Sequence, residues 1–176
     1  MKTRLIRIVC LCLACCISNL AAAQTSPPWP DDLAGHLGGD WKLEGQVMGH
    51  AAHHDVQVEW VLNHQFLLIH EKTSPDAPAA ENRYEAIWYL GYDSISERYV
   101  LHLFDVFGTR FSETLGYGLR SGDEIRFVFE YPDGPFHTTF RWLPGKDSWA
   151  WLMEQKNKDG KWTPFADLKL TRAPKP

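Results

Sequence analysis

Residues 124–156 read EIRFVFEYPDGPFHTTFRWLPGKDSWAWLMEQK. Bulky apolar residues alternate with polar ones, the period of a half-buried strand. Asp133-Gly134 is a two-residue hairpin signal. Opposed residues of a hairpin must point to the same face. A turn there sets Tyr131 against Phe136, Phe129 against Thr138, Phe127 against Phe140 and Ile125 against Trp142. A four-residue loop at 144–147 then sets Trp142 against Trp149, Phe140 against Trp151 and Thr138 against Met153. A loop at 157–160 sets Trp151 against Ala166 and Trp149 against Leu168. One parity thus gives successive strands a shared aromatic face. The opposite face carries Arg126, Glu130, His137, Thr139, Arg141, Asp167 and Lys169.

The same parity extends outward in both directions. A Ser121-Gly122 turn sets Gly118 against Ile125 and Gly116 against Phe127. Small residues opposite large ones suit a curved sheet with a filled inner side. Near the start, Trp41, Leu43, Gly45 and Val47 point one way, and Lys42, Glu44 and Gln46 the other. Val56, Val58, Trp60 and Leu62 repeat the pattern. The expected strands are 41–48, 55–62, 66–73, 84–92, 98–104, 110–119, 124–131, 136–142, 149–156 and 162–171. Short strands with brief connections predict an all-β fold. One sustained apolar face predicts a single antiparallel up-and-down β-barrel of about ten strands, which leaves no exposed edge. A two-layer sandwich is the alternative.

The chain has 176 residues, enough for one domain. Residues 1–23 join a basic start, MKTRLIR, to an apolar run and a small-residue AAA, the pattern of a secretory signal peptide. Cys15 and Cys16 follow CLA, so a lipoprotein is the lesser alternative. Cys10, Cys12, Cys15 and Cys16 all fall in this segment. The chain after Ala23 therefore has no disulfide, thiolate metal site or cysteine nucleophile. Residues 24–39 form a proline-rich leader and a short helical turn, and 40–173 the barrel domain. Residues 1–23 take three of the 18 basic residues and none of the 22 acidic ones, so the remainder carries −7. That balance disfavours nucleic acid and anionic membranes as partners. No later apolar run is long enough for a transmembrane helix. The expected location is secreted and periplasmic.

Gly39-x-Trp41 opens the first strand and Arg172 closes the last. This pair resembles the lipocalin and wider calycin barrels. The resemblance implies a tryptophan plugging one end with the arginine packed over it. The stretches WVLNHQFLLIHE (60–71), YEAIWYLGYDSISERYVLHLFDVFG (84–108) and GKWTPFADLKLTR (160–172) are similar to the DUF1579 family, lipocalin-like bacterial proteins of unknown function. Its pattern matches Trp41, Leu90-Gly91-Tyr92-Asp93, Tyr99, Asp105 and Arg172. The resemblance implies a barrel and gives almost no chemistry. The nitrobindins, a similar group of barrels, bind haem through a histidine. WKLEGQ after Gly39-Asp40 departs from their pattern, and no histidine follows His137.

The aromatic face nominates Trp60, Phe127, Phe129, Phe140, Trp142, Trp149 and Trp151 as the lining of a lumen for a small apolar or aromatic ligand, or as its solid filling. His70 and His102 join them as ligand-binding candidates. A three-residue loop at 63–65 turns His70 inward, and a two-residue loop turns it outward. His102 lies on the face of Val100 and Phe104, opposite Tyr99 and Leu101. An inward histidine beside a carboxylate would anchor a ligand or act as an acid–base catalyst. Glu113, if it shares a face with Phe111 and Leu115, is buried, with its pKa raised. His137 is expected opposite Glu130, and Asp93 as the cap of a turn to Arg98. GHAAHHD (49–55) reads as a solvated rim loop between the first two strands. Its His50, His53 and His54 could alternatively chelate a metal. No phosphate loop, nucleophile elbow or dinucleotide motif is present, and no cofactor is implied. The expected function is binding of a small molecule in the lumen. The alternatives are an enzyme with a lumen His/Glu pair, and a metal- or haem-binding barrel.

Overall fold

The computed structural model describes residues 29–79, 81 and 83–174. The expected signal peptide and most of the proline-rich leader lie outside them. Among the described residues ten strands run in chain order: β1 Gly39–Val47, β2 His50–Val61, β3 Phe66–Thr73, β4 Glu85–Asp93, β5 Arg98–Asp105, β6 Gly116–Ser121, β7 Glu124–Tyr131, β8 Gly134–Leu143, β9 Ser148–Lys156 and β10 Trp162–Arg172. Each pairs antiparallel with its chain neighbour, and β10 returns to β1. The molecule is the predicted closed up-and-down barrel, lipocalin-like in architecture.

The inner face carries the apolar residues assigned to it. Trp41, Leu43, Val56, Val58, Phe127, Phe129, Phe140, Trp149 and Trp151 are buried. The β8–β9 register has Trp142 opposite Trp149 and Phe140 opposite Trp151, as expected. Three neighbouring hairpins are shifted by two residues. Tyr131 pairs with Gly134 and Phe127 with Thr138, because Pro132-Asp133 forms the turn. Gly118 pairs with Phe127 and Gly116 with Phe129, because Gly122-Asp123 turns instead of Ser121-Gly122. Leu168 pairs with Trp151, with an irregularity between Pro164 and Ala166. A two-residue shift leaves every side chain on its face, so the lining survived the wrong turns.

Close packing explains the glycines of β6. A Cβ on Gly116 would lie 2.4 Å from the Phe129 ring, and one on Gly118 2.8 Å from Phe127. The same crowding acts where β1 crosses β10. A Cβ on Gly45 would meet the Asp167 carbonyl oxygen at 2.1 Å.

Two expectations about elements fail. The strand expected at 110–119 is a 3-10 turn, Gly108–Phe111, followed by β6 from Gly116. Glu113 therefore sits in a surface turn and is exposed. The β5–β6 ladder consequently spans just Tyr99–Gly118 to Leu101–Gly116. Second, residues 50–54 are not a loop but the first part of β2, paired with Val47–Leu43 of β1.

One end of the barrel, the base, is closed by the 3-10 turn Ala34–Leu37, whose Ala34 and Leu37 are buried. Trp41 donates its indole N–H to the Leu37 carbonyl at 2.6 Å. The Arg172 guanidinium lies 3.7 Å from the Trp41 ring centroid, and donates to the carbonyls of Gly38 and His36. His36 stacks flat on Trp142 at 4.8 Å. The geometry implied by Gly-x-Trp and the closing arginine is thus present. The opposite end is the mouth, ringed by the β1–β2, β3–β4, β5–β6, β7–β8 and β9–β10 connections.

Candidate functional site

Strand parity builds the site. Val56 and Val58 of β2 face inward, and two residues earlier His54 does too. Likewise Glu71 of β3 follows inward Leu67 and Ile69. Both polar side chains are therefore carried into the lumen near the mouth, at 7% and 5% exposure. They meet there, with His54 Nδ1 2.6 Å from Glu71 Oε1. The other Glu71 oxygen accepts the Trp88 indole N–H at 3.3 Å. The second His54 nitrogen, Nε2, faces Glu81 Oε1 at 3.4 Å. Each ring nitrogen of His54 thus has a carboxylate neighbour, and an imidazole can donate to both when it carries both protons.

Glu81 lies on the β3–β4 connection and folds back over β2. It accepts from the His53 backbone N–H at 2.9 Å and lies 2.9 Å from His53 Nδ1. Burial raises its pKa, but the His53 hydrogen bonds and the two imidazoles outweigh it and hold the carboxyl below its ordinary value. The connection is pinned at its roots. Ser74 donates to the His53 carbonyl from its backbone and to Asp55 from its hydroxyl. Lys42 pairs with the same Asp55 at 2.6 Å.

Above this pair sits Tyr84, its ring stacked on His54 at 5.6 Å. Its hydroxyl is bonded to Asp105. Burial, then the charges of Glu71 and Asp105, drive the Tyr84 pKa far upward, so the phenol stays protonated. Burial, with Glu71 adding to it, also raises Asp105. Phe107, Phe111 and Tyr131 continue the aromatic rim. Phe107 is 67% exposed. The Tyr131 hydroxyl donates to the Phe111 carbonyl at 3.3 Å, which ties the Gly108–Phe111 turn to β7.

Below the polar layer the lumen is filled by its own aromatics. Phe127, Trp149 and Trp151 have no exposed surface. Trp151 packs on Phe140 at 4.6 Å and edge-on to Trp88 at 5.3 Å. Within this filling, Thr138 Oγ1, Trp149 Nε1 and Trp151 Nε1 have no hydrogen-bond partner among the described residues. Buried polar groups of this kind are rare and each costs about 1–3 kcal/mol.

The remaining candidates lie elsewhere. Trp60 is half-buried at the base, edge-on to Trp29 at 4.9 Å. There it lines an open groove of about 500 Å³ with Asp31, Gly35 and His64. His70 faces outward, because the connection spans four residues, 62–65, and pairs Gln57 with His70. Its Nε2 lies 2.6 Å from Glu85. His102 also faces outward and meets the Ser112 carbonyl at 2.7 Å. His137 pairs across strands with Val128 and Glu154, not Glu130. It stacks on Trp162 at 3.6 Å. Thr139, assigned to the polar outer face, is buried. Asp93 does cap the turn before Arg98, through the Ile95 N–H. On β2 the parity of His50 and His54 is opposite to that of His53, and His53 and His54 meet a shared carboxylate, Glu81. Among the described residues no three of these ligand types are arranged to hold a metal ion.

The sequence reading missed His54 and Glu71 as the lumen pair, although the signal was there. Its second strand stopped at Asp55, one residue short of the next inward position. Had the alternation of Val56 and Val58 been run backwards, His54 would have joined the lining.

Compared with known protein families and with curated proteins, the sequence finds no match.

Proposed function

We propose that this chain is a secreted, periplasmic barrel of the DUF1579 type that binds a small apolar or aromatic molecule at the mouth end of its lumen. The observation that carries the reading is the His54–Glu71–Trp88 chain, a buried polar layer beneath a rim of aromatic rings. Ligand sites combine apolar walls with a few fixed polar groups. Burying the ligand's apolar surface drives binding at roughly 25 cal/mol per Å², and the polar layer sets its orientation. The filled lower lumen confines the ligand to the level of Tyr84, Phe111 and Tyr131.

Native mass spectrometry of the chain purified from periplasm without a histidine tag tests this reading. A stoichiometric extra mass that dissociates in the Trp88→Ala variant supports it. A bare mass, with no tryptophan fluorescence change on titration with naphthalene derivatives, rejects it.

A second reading, acid–base catalysis by His54, is favoured by its 2.6 Å contact with Glu71. A general base needs one free nitrogen within reach of the substrate. Here Glu81 stands before the second nitrogen, which makes His54 first a binding group.

A further inference from the structure

We propose that the mouth is a carboxylate site, and that Glu81 fills it as an internal stand-in for a ligand whose acid group takes the same place. The inference rests on the small-molecule reading above and names the ligand's class: a monocarboxylate with a compact apolar or aromatic body.

The Glu81 side chain is 8% exposed although it comes from a surface connection. Its carboxylate meets donor groups that belong to the barrel wall. These are the His53 backbone N–H, His53 Nδ1 and His54 Nε2. Glu71, on the far side of the His54 ring, contacts Nδ1 at 2.6 Å and fixes that ring with Nε2 towards Glu81. Charge-assisted contacts of this type are shorter and stronger than neutral ones. Exchanging one carboxylate for another keeps the charge balance around His54 unchanged. A cationic ligand would instead meet the imidazole, and a neutral one would leave its donors unpaired. The apolar surroundings are also suited to the rest of such a molecule, since Tyr84 stacks on His54 and Phe107 packs on Tyr84.

An internal competitor lowers apparent affinity by the fraction of time it occupies the site. Removing it must tighten the acid and leave a neutral isostere unaffected. The test uses 1-naphthylacetate, 1-naphthylacetamide and 1-naphthylmethylamine, titrated calorimetrically into the wild-type chain, Glu81→Ala and His54→Gln. Near-UV circular dichroism reports whether each variant keeps its packed aromatic core. The expected result is acid-selective binding that tightens about tenfold or more in Glu81→Ala, with the amide unchanged. In His54→Gln the preference of acid over amide should vanish.

An equal gain for acid and amide in Glu81→Ala would mean that the connection merely obstructs entry, and it overturns the carboxylate assignment. Unchanged acid affinity, or preference for the amine, overturns it too. In these cases neutral naphthyl binding still upholds the small-molecule reading. If none of the three compounds binds any form, both proposals fall.

Discussion

The two ends of the barrel solve the same problem, closing a tube, with opposite chemistry. The base is stopped by tryptophan and backbone. Trp41 is buried and its one polar atom is satisfied by the Leu37 carbonyl. Arg172, a charge at this end, stays near solvent above the ring, where it meets carbonyls and Asp147. The mouth instead takes its charges inside. His54 and Glu71 sit within the wall, and Glu81 is drawn in from a surface connection. Desolvated charge is costly even when paired, so the base is the economical seal. The mouth carries a cost that stability alone does not require, which is the expected signature of function.

Four single substitutions and one double variant sharpen this contrast, given from the largest effect to the smallest. Trp41→Ala removes the base plug and should cost about 3–5 kcal/mol in urea unfolding. A loss under about 1 kcal/mol would mean that the base is not a structural seal. His54→Leu leaves Glu71 buried with Trp88 as its remaining partner and should cost roughly 3 kcal/mol. The double variant His54→Leu/Glu71→Leu should recover most of that loss. If the double change is worse than the single one, the pair is a stabilising feature and the contrast between the ends disappears.

Asp31→Asn acts at the base. Asp31 accepts from the Tyr99 hydroxyl at 2.8 Å and pairs with Arg120 at 3.0 Å. Burial raises its pKa, but these bonds and the Leu33 N–H bring it below the ordinary value. A lowered carboxyl pKa adds stability that is fully present above the unfolded value and is lost as pH falls through the folded one. The variant should lose about 1 kcal/mol at pH 7, and its deficit should shrink as the pH drops below 4. A deficit that does not vary with pH would remove Asp31 from the acid response.

Asp105→Asn acts at the mouth with the opposite sign. A raised carboxyl pKa penalises folding above the unfolded value. The variant should therefore gain slightly at pH 7, within about 0.5 kcal/mol. The gain should fade as the pH falls through the ordinary carboxylate range. Thermal melts at pH 7 and pH 3.5 check both arms, and destabilisation at pH 7 would show that the Tyr84 bond outweighs the desolvation.

Strand parity made most of the barrel legible before any coordinates. It is a repeated signal that tolerates local error, and the three shifted hairpins show this. Each turn was misplaced, yet Phe127, Phe129 and Trp151 stayed inside. Turn position rests on two or three residues and has no such redundancy. Pro132-Asp133 and Asp133-Gly134 both read as turns, and the strand partners decide between them. The site was less legible for a different reason. His54 and Glu71 are polar residues at apolar positions: the expected second strand began at Asp55, just past His54, and the expected third strand, 66–73, held Glu71 without assigning it to the lumen. Glu81 lies 28 residues from His53, and its approach depends on how the 74–84 connection folds, which periodicity does not encode. His70 and His102 drew attention as strand histidines, but a four-residue turn put one outside, and the other followed Phe104 to the outer face.

The short β5–β6 ladder sets a limit on the cooperativity of the whole barrel. A closed ring of strands resists local opening only as well as its weakest pairing, and here that pairing spans Tyr99–Leu101 against Gly116–Gly118. Low-stability openings begin where backbone pairing is sparse. Amides of β5 beyond Leu101 that point away from β4 should therefore exchange with solvent before those of β8 and β9, whose ladder is long. The seam borders the aromatic rim, so the fluctuation that exposes the backbone there would also admit a guest without unfolding the barrel.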